Sequence, residues 1–123
     1  MRFMRVLSVV AVLLAVSVLT NAKVNQFGVA DSQKVTFAEQ VRIGNMVLPK
    51  GDYQVLHSMD GDHHFMVFKQ LHSRRPAEAR VECQLVPLEK KAERTELKYE
   101  LNASKQWVLQ RITFKGDSAQ HVF

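Results

Sequence analysis

Apolar and polar residues alternate in two runs between Leu48 and Gln70, LPKGDYQVLHSMDGDHHFMVFKQ, and an Asp-Gly pair separates the runs. Alternation with period two marks strands with two distinct faces, and Asp-Gly between such runs marks a hairpin. Leu48-Pro49-Lys50-Gly51 supplies a tight turn ahead of the first strand, Pro presetting φ and Gly accepting a positive one. With Asp60-Gly61 as a two-residue type I′ loop, counting outward pairs Met59 with Asp62, Ser58 with His63 and His57 with His64. The same count pairs Leu56 with Phe65, Val55 with Met66 and Tyr53 with Phe68. Tyr53, Val55, Met66 and Phe68 then share one face, with His57 and His64 at its open end. Leu56, Phe65 and Val67 make the second face apolar too, so the hairpin is expected to be covered on both sides or to lie at an interface.

The flanking segments carry the same period. Lys34–Phe37 and Val41–Ile43 read as two short strands broken at Ala38-Glu39-Gln40, or as one longer bent strand. Gly44-Asn45 turns the chain, and Met46–Leu48 leads into the Pro-Gly turn. After a polar loop ending in Pro76, Ala79–Val86 places Val81, Cys83 and Leu85 on one side. Residues 89–96 (EKKAERTE) have no apolar stripe to bury and read as a solvated connection. Glu96–Asn102 points Leu97, Tyr99 and Leu101 inward, Asn102–Lys105 turns, and Gln106–Phe114 is a further strand. His121-Val122-Phe123 adds a short terminal strand or frays. Six to eight short strands at even spacing predict an all-β chain, a small antiparallel β-sandwich or barrel-like domain.

The N-terminus departs from this period. Arg2 and Arg5 precede an almost unbroken apolar run, Val6–Leu19, and Thr20-Asn21-Ala22 ends in a small residue suited to cleavage. At about 14 residues the run is shorter than the roughly 20 a membrane-spanning helix needs. Residues 1–22 are therefore expected to be a signal peptide with a signal helix, cleaved near Ala22, and residues 23–123 a single β domain. The product would be exported, periplasmic or secreted, with no stable membrane span. Outside Arg2 and Arg5, the 15 Lys and Arg exceed the 12 Asp and Glu by only three, which is too mild for nucleic acid. Cys83 is the sole cysteine, so no internal disulfide can form and core packing must hold the domain. Its register with Val81 and Leu85 suits a small buried hydrophobe.

Val35-Thr36-Phe37, Val41, Ile43-Gly44, Leu48-Pro49, Gly51 and Tyr53 together follow a pattern T-F, V-x-I-G, L-P-x-G-x-Y. Over about residues 34–70 the chain resembles small secreted bacterial proteins of unknown function that carry this β motif. Lys50 and Asp52 stand where small residues are usual in that pattern. The resemblance implies an exported β-sandwich-like protein and carries over no catalytic residue.

Candidate chemistry is concentrated in His57, His63, His64 and His72, with Asp60 and Asp62 beside them. Directly opposed across the hairpin, His57 and His64 would have Cβ atoms about 5 Å apart, close enough to share a Zn²⁺ or Cu²⁺ ion through neutral imidazole nitrogens. Asp62 is the candidate third metal ligand, and His63 points to the other face. A solvated polar hairpin tip is the plainer reading, since no H-E-x-x-H or C-x-x-C pattern accompanies it. The serines lack a G-x-S-x-G setting, and no catalytic residue or cofactor is assigned. Trp107 reads as a residue at the edge of the core, or as a platform for a sugar or peptide. The expectation is a non-enzymatic binding or structural module of the bacterial envelope or extracellular space. Its partner would be a protein, a glycan or a second copy of the chain. A metal- or small-ligand-binding domain using the His57/His64 end is the alternative.

Overall fold

A computed structural model describes residues 25–123; the signal-peptide expectation for residues 1–22 lies outside them. The strands are β1 (Ser32–Phe37), β2 (Val41–Ile43), β3 (Met46–Leu48), β4 (Gly51–Asp60), β5 (His63–Gln70), β6 (Glu78–Pro87), β7 (Glu96–Leu101), β8 (Trp107–Thr113) and β9 (Ala119–Val122). There is no helix among the described residues, and the chain is all-β as its alternation requires. The strands number nine because Met46–Leu48 pairs with β2 as a strand of its own and β9 is bonded on both sides.

The strands run in the order β1-β4-β5-β6-β9-β8-β2-β3 in one open sheet, with β7 attached to β8. β6 is the corner. Its first half, Glu78–Cys83, pairs with β5, and its second half, Gln84–Pro87, pairs with β9. The sheet bends there, so that β1, β4 and β5 face β2, β3 and β8 across one core. Phe37, Tyr53, Val55, Met66 and Phe68 come from the first half, and Ile43, Leu48, Leu109 and Ile112 from the second. Ala38–Gln40 carries the chain from one half to the other, so β1 and β2 are two strands rather than one bent strand. That crossing also brings β2 beside β8 in parallel, Val41 opposite Trp107 and Arg42 opposite Val108, the one departure from antiparallel pairing. The fold is a sandwich-like open sheet.

The central hairpin keeps its predicted faces but not its predicted register. The loop is Gly61-Asp62, with Asp60 opposite His63, Met59 opposite His64 and His57 opposite Met66. A type I′ loop on Asp60-Gly61 needs positive φ at both residues; only Gly61 has one, at 60°, as a loop with Gly in first position requires. The slip moves each pairing by two residues, and an even slip leaves every side chain on its own face. Tyr53, Val55, Met66 and Phe68 accordingly line the core. The buried Tyr53 hydroxyl donates to the Pro49 carbonyl at 2.6 Å, so the L-P-x-G-x-Y pattern closes a turn. On the opposite face Leu56, Phe65 and Val67 are half-buried, and the Arg80 guanidinium lies 3.7 Å from the Phe65 ring centre.

β7 corrects a second expectation. Leu97 packs on the core, but Tyr99 and Leu101 are 37% and 50% exposed. β7 bonds to β8 alone, and Gln110 is an extra residue in β8: Lys98 pairs with Arg111 and Tyr99 with Leu109. Strict alternation from Trp107 and Leu109 would turn Arg111 inward and Ile112 outward. The bulge resets the phase, so Leu109, Ile112 and Phe114 all enter the core. Tyr99, Leu101 and Trp107 are left at its rim.

Candidate functional sites

Two regions depart from the rule of apolar inside and polar outside. The first is the histidine end of the central hairpin. His57 on β4 and His64 on β5 are diagonal rather than directly opposed, because the register has slipped by two residues. Their side chains nevertheless meet, with His57 Nε2 3.0 Å from His64 Nδ1 and the rings stacked at 26°. His63 points to the other face, its Nδ1 2.6 Å from Glu82 Oε1. Asp62 sits in the exposed turn, and among the described residues no three His, Cys, Asp or Glu side chains are gathered to hold a metal ion. His72 lies in the loop after β5.

Sequence reading missed the inner half of this cluster. His121 on β9 is 1% exposed, and its ring centre lies 6.0 Å from that of His57. Asp117, also 1% exposed, accepts the Ala30 N–H through Oδ1 at 3.2 Å. Its Oδ2 approaches His121 Nε2 at 3.8 Å and has no hydrogen-bond partner among the described residues. Cys83 Sγ lies 3.9 Å from His121 Nδ1. The order thiol, imidazole, carboxylate is that of a nucleophilic relay. Here the thiol is buried, however, and burial first, with Glu82 second, pushes its pKa up to about 12. A thiol so rarely ionised is a poor nucleophile, so Cys83 fills the core as its register suggested.

Residues 25–31 strap this end. His57 N–H donates to the Asp31 carbonyl at 2.9 Å, and Ser118 N–H donates to the Gly28 carbonyl at 2.6 Å. A Cβ on Gly28 would meet Ser118 Cβ at 2.9 Å, so only glycine allows that approach. Phe27 sets its edge against His64 at a centroid distance of 4.8 Å, and Asn25 Nδ2 donates to Asp31 Oδ1 at 2.9 Å beside His57. Burial first, then the neighbouring His121 and His64, holds the His57 pKa below its usual value, with Asp31 and Asp117 opposing.

The second region is a groove beside the parallel β2/β8 pair. Trp107, 41% exposed, and Tyr99 form one wall, and Ala38, Glu39, Gln40 and Val41 form the other, around a space of about 230 Å³. Trp107 also borders an adjoining polar groove with Arg42, Lys105 and Gln106. The turn that presents Trp107 is fixed by Asn102, whose Oδ1 accepts the Ser104 and Gln106 N–H groups at 3.0 and 2.9 Å. Asn102 Nδ2 and Arg42 Nη1 both donate to Gln106 Oε1, at 3.2 and 3.5 Å. Sequence reading singled out Trp107 but placed Tyr99 inside; the bulge in β8 opposite Lys98 and Tyr99 is visible only as the three-residue gap between Leu109 and Ile112.

No family model matches the chain, and neither a curated protein nor a solved structure is significantly similar to it.

Proposed function

We propose that this protein is a small exported, non-enzymatic β module that binds its ligand through the Tyr99–Trp107 groove. One observation carries the reading: two large aromatic side chains stand exposed along a concave surface beside the parallel β2/β8 pair. At Trp107 and Val108, β8 pairs with β2 on one edge and β7 on the other, so the strand that carries Trp107 is held in place before any ligand arrives. Preorganised aromatic surface of this kind is what binding sites concentrate. Export is supported by the positively charged, apolar, small-residue order of residues 1–22.

Trp107 is the only tryptophan in the chain, so its fluorescence and indole N–H signal report on this groove alone. Titration with fractionated envelope material should shift both signals, and Trp107→Phe should weaken the interaction. A ligand that binds tightly while leaving the indole signal untouched would contradict the reading.

The 3.0 Å approach of His57 Nε2 to His64 Nδ1 favours a second reading, a metal or small ligand held by these two imidazoles. Zn²⁺ affinity should then fall when His57 and His64 are both changed to Ala; unchanged affinity would remove it.

A further inference from the structure

Resting on the groove reading above, we infer that the ligand is a glycan built from acidic sugars, with one uronic acid ring stacked on Trp107 and its carboxylate held by Arg42 and Lys105. The two adjoining grooves differ in chemistry while sharing Trp107, Glu39, Gln40 and Val41. On the Tyr99 side the surface is mostly apolar and aromatic; the Arg42 side adds two cations and the Gln106 amide beside the exposed Val47. A sugar ring has the same division, C–H groups on its faces and oxygens around its rim. The negative face of an indole attracts the slightly positive C–H groups of a ring laid against it. A space of about 230 Å³ is below the roughly 300 Å³ at which sites for drug-sized molecules begin, and suits a single ring.

Charge selects among sugars. Arg42 and Lys105 outnumber Glu39 on the polar side, which favours an anion. Arg42 donates through Nε to the Gly44 carbonyl at 3.1 Å and through Nη1 to Gln106, which leaves its Nη2 hydrogens unclaimed among the described residues. A guanidinium anchored in this way presents a fixed donor to a carboxylate. A peptide finds no free strand edge at Trp107 itself, where both edges of β8 are occupied, and would have to add to the outer edge of β7 instead. Glu39 is the single carboxylate lining the grooves among the described residues, whereas glycoside hydrolysis normally uses two about 5–9.5 Å apart.

The test is a titration of the purified protein with tetragalacturonate and, in parallel, with neutral cellotetraose, read by Trp107 fluorescence and calorimetry. The uronate should bind and the neutral sugar should bind at least about tenfold more weakly. Trp107→Ala should reduce uronate affinity about tenfold or more, and the fold-preserving Trp107→Phe by less. Arg42→Gln should weaken it severalfold, as should raising the salt from about 0.05 to about 0.5 M. Equal, salt-independent binding of both sugars would overturn the acidic assignment and leave the groove reading standing. If neither sugar binds while an apolar peptide shifts the indole signal, the glycan assignment fails and the groove reading survives. If no probe moves that signal, both fall.

Discussion

The aromatic groove and the histidine end break the same rule in opposite directions. At the groove, apolar surface is left in water around a strand that is paired on both edges, so the favourable step still outstanding is its burial by something else. At the histidine end, polar groups are taken out of water, and Asp117 Oδ2 lies buried with His121 Nε2 only at 3.8 Å. The favourable contacts there are already made within the chain, to Ala30, Phe27 and Asp31 of the strap. The contrast separates two kinds of unusual site. Exposed aromatics point outward to a partner, whereas a strapped polar cluster governs how the chain itself holds together.

Substitution should separate the two regions. The largest effect on stability is expected from His121→Ala, which opens a cavity and takes away the imidazole nitrogen 3.8 Å from Asp117 Oδ2. A loss of about 3 kcal/mol in urea unfolding is expected, with the groove ligand still bound wherever the protein remains folded. Trp107→Ala should do the reverse: a stability change of about 1 kcal/mol, because the side chain is partly solvated, together with loss of ligand. If the two variants produced the same pattern, the division between the regions would collapse.

Acid should act on the histidine end next. His57 has a folded-state pKa below the 6.5 of the free side chain, so in the window just below 6.5 the unfolded chain holds more protons. Stability contributed by neutral His57 is therefore present at neutral pH and lost as the pH falls below about 6.5. Unfolding midpoints at pH 7.5 and 5.5 should differ in that sense, and His57→Gln should narrow the difference. The smallest effect is expected from His63, whose pKa is raised by its hydrogen bond to Glu82 and then by the Glu82 charge. Its contribution has the opposite sign, present below 6.5 and lost as pH rises through the folded value. Glu82→Gln should abolish it with little other change, because the pair is exposed.

The alternation of Tyr53, Val55, Met66 and Phe68 identified the core face of the hairpin, because faces depend only on parity. The register depended on which two residues turn, and Gly61 alone adopting a positive φ moved the loop by one position. Tyr99 and Leu101 alternate perfectly and still lie exposed, since an outer strand's inward side is covered only where the facing half reaches it. The His57–His64 contact was legible from the hairpin, its inner partners were not. Asp117 reads locally as a turn residue and His121 as part of a fraying end. Only the pairing of β9 with both β6 and β8 brings them under the hairpin. Leu109 and Ile112, three apart in a strand of period two, were the available sign of the bulge in β8.

The most direct test of the groove as a binding surface is an amide and indole NMR map of the protein with tetragalacturonate added stepwise. The account predicts saturable shifts at the Trp107 indole, Tyr99, the 38–42 backbone and Gln106, with His57 and His64 unmoved. Shifts concentrated at His57, His64 and Phe27, with the Trp107 indole unchanged, would place ligand binding at the other end of the molecule and contradict it.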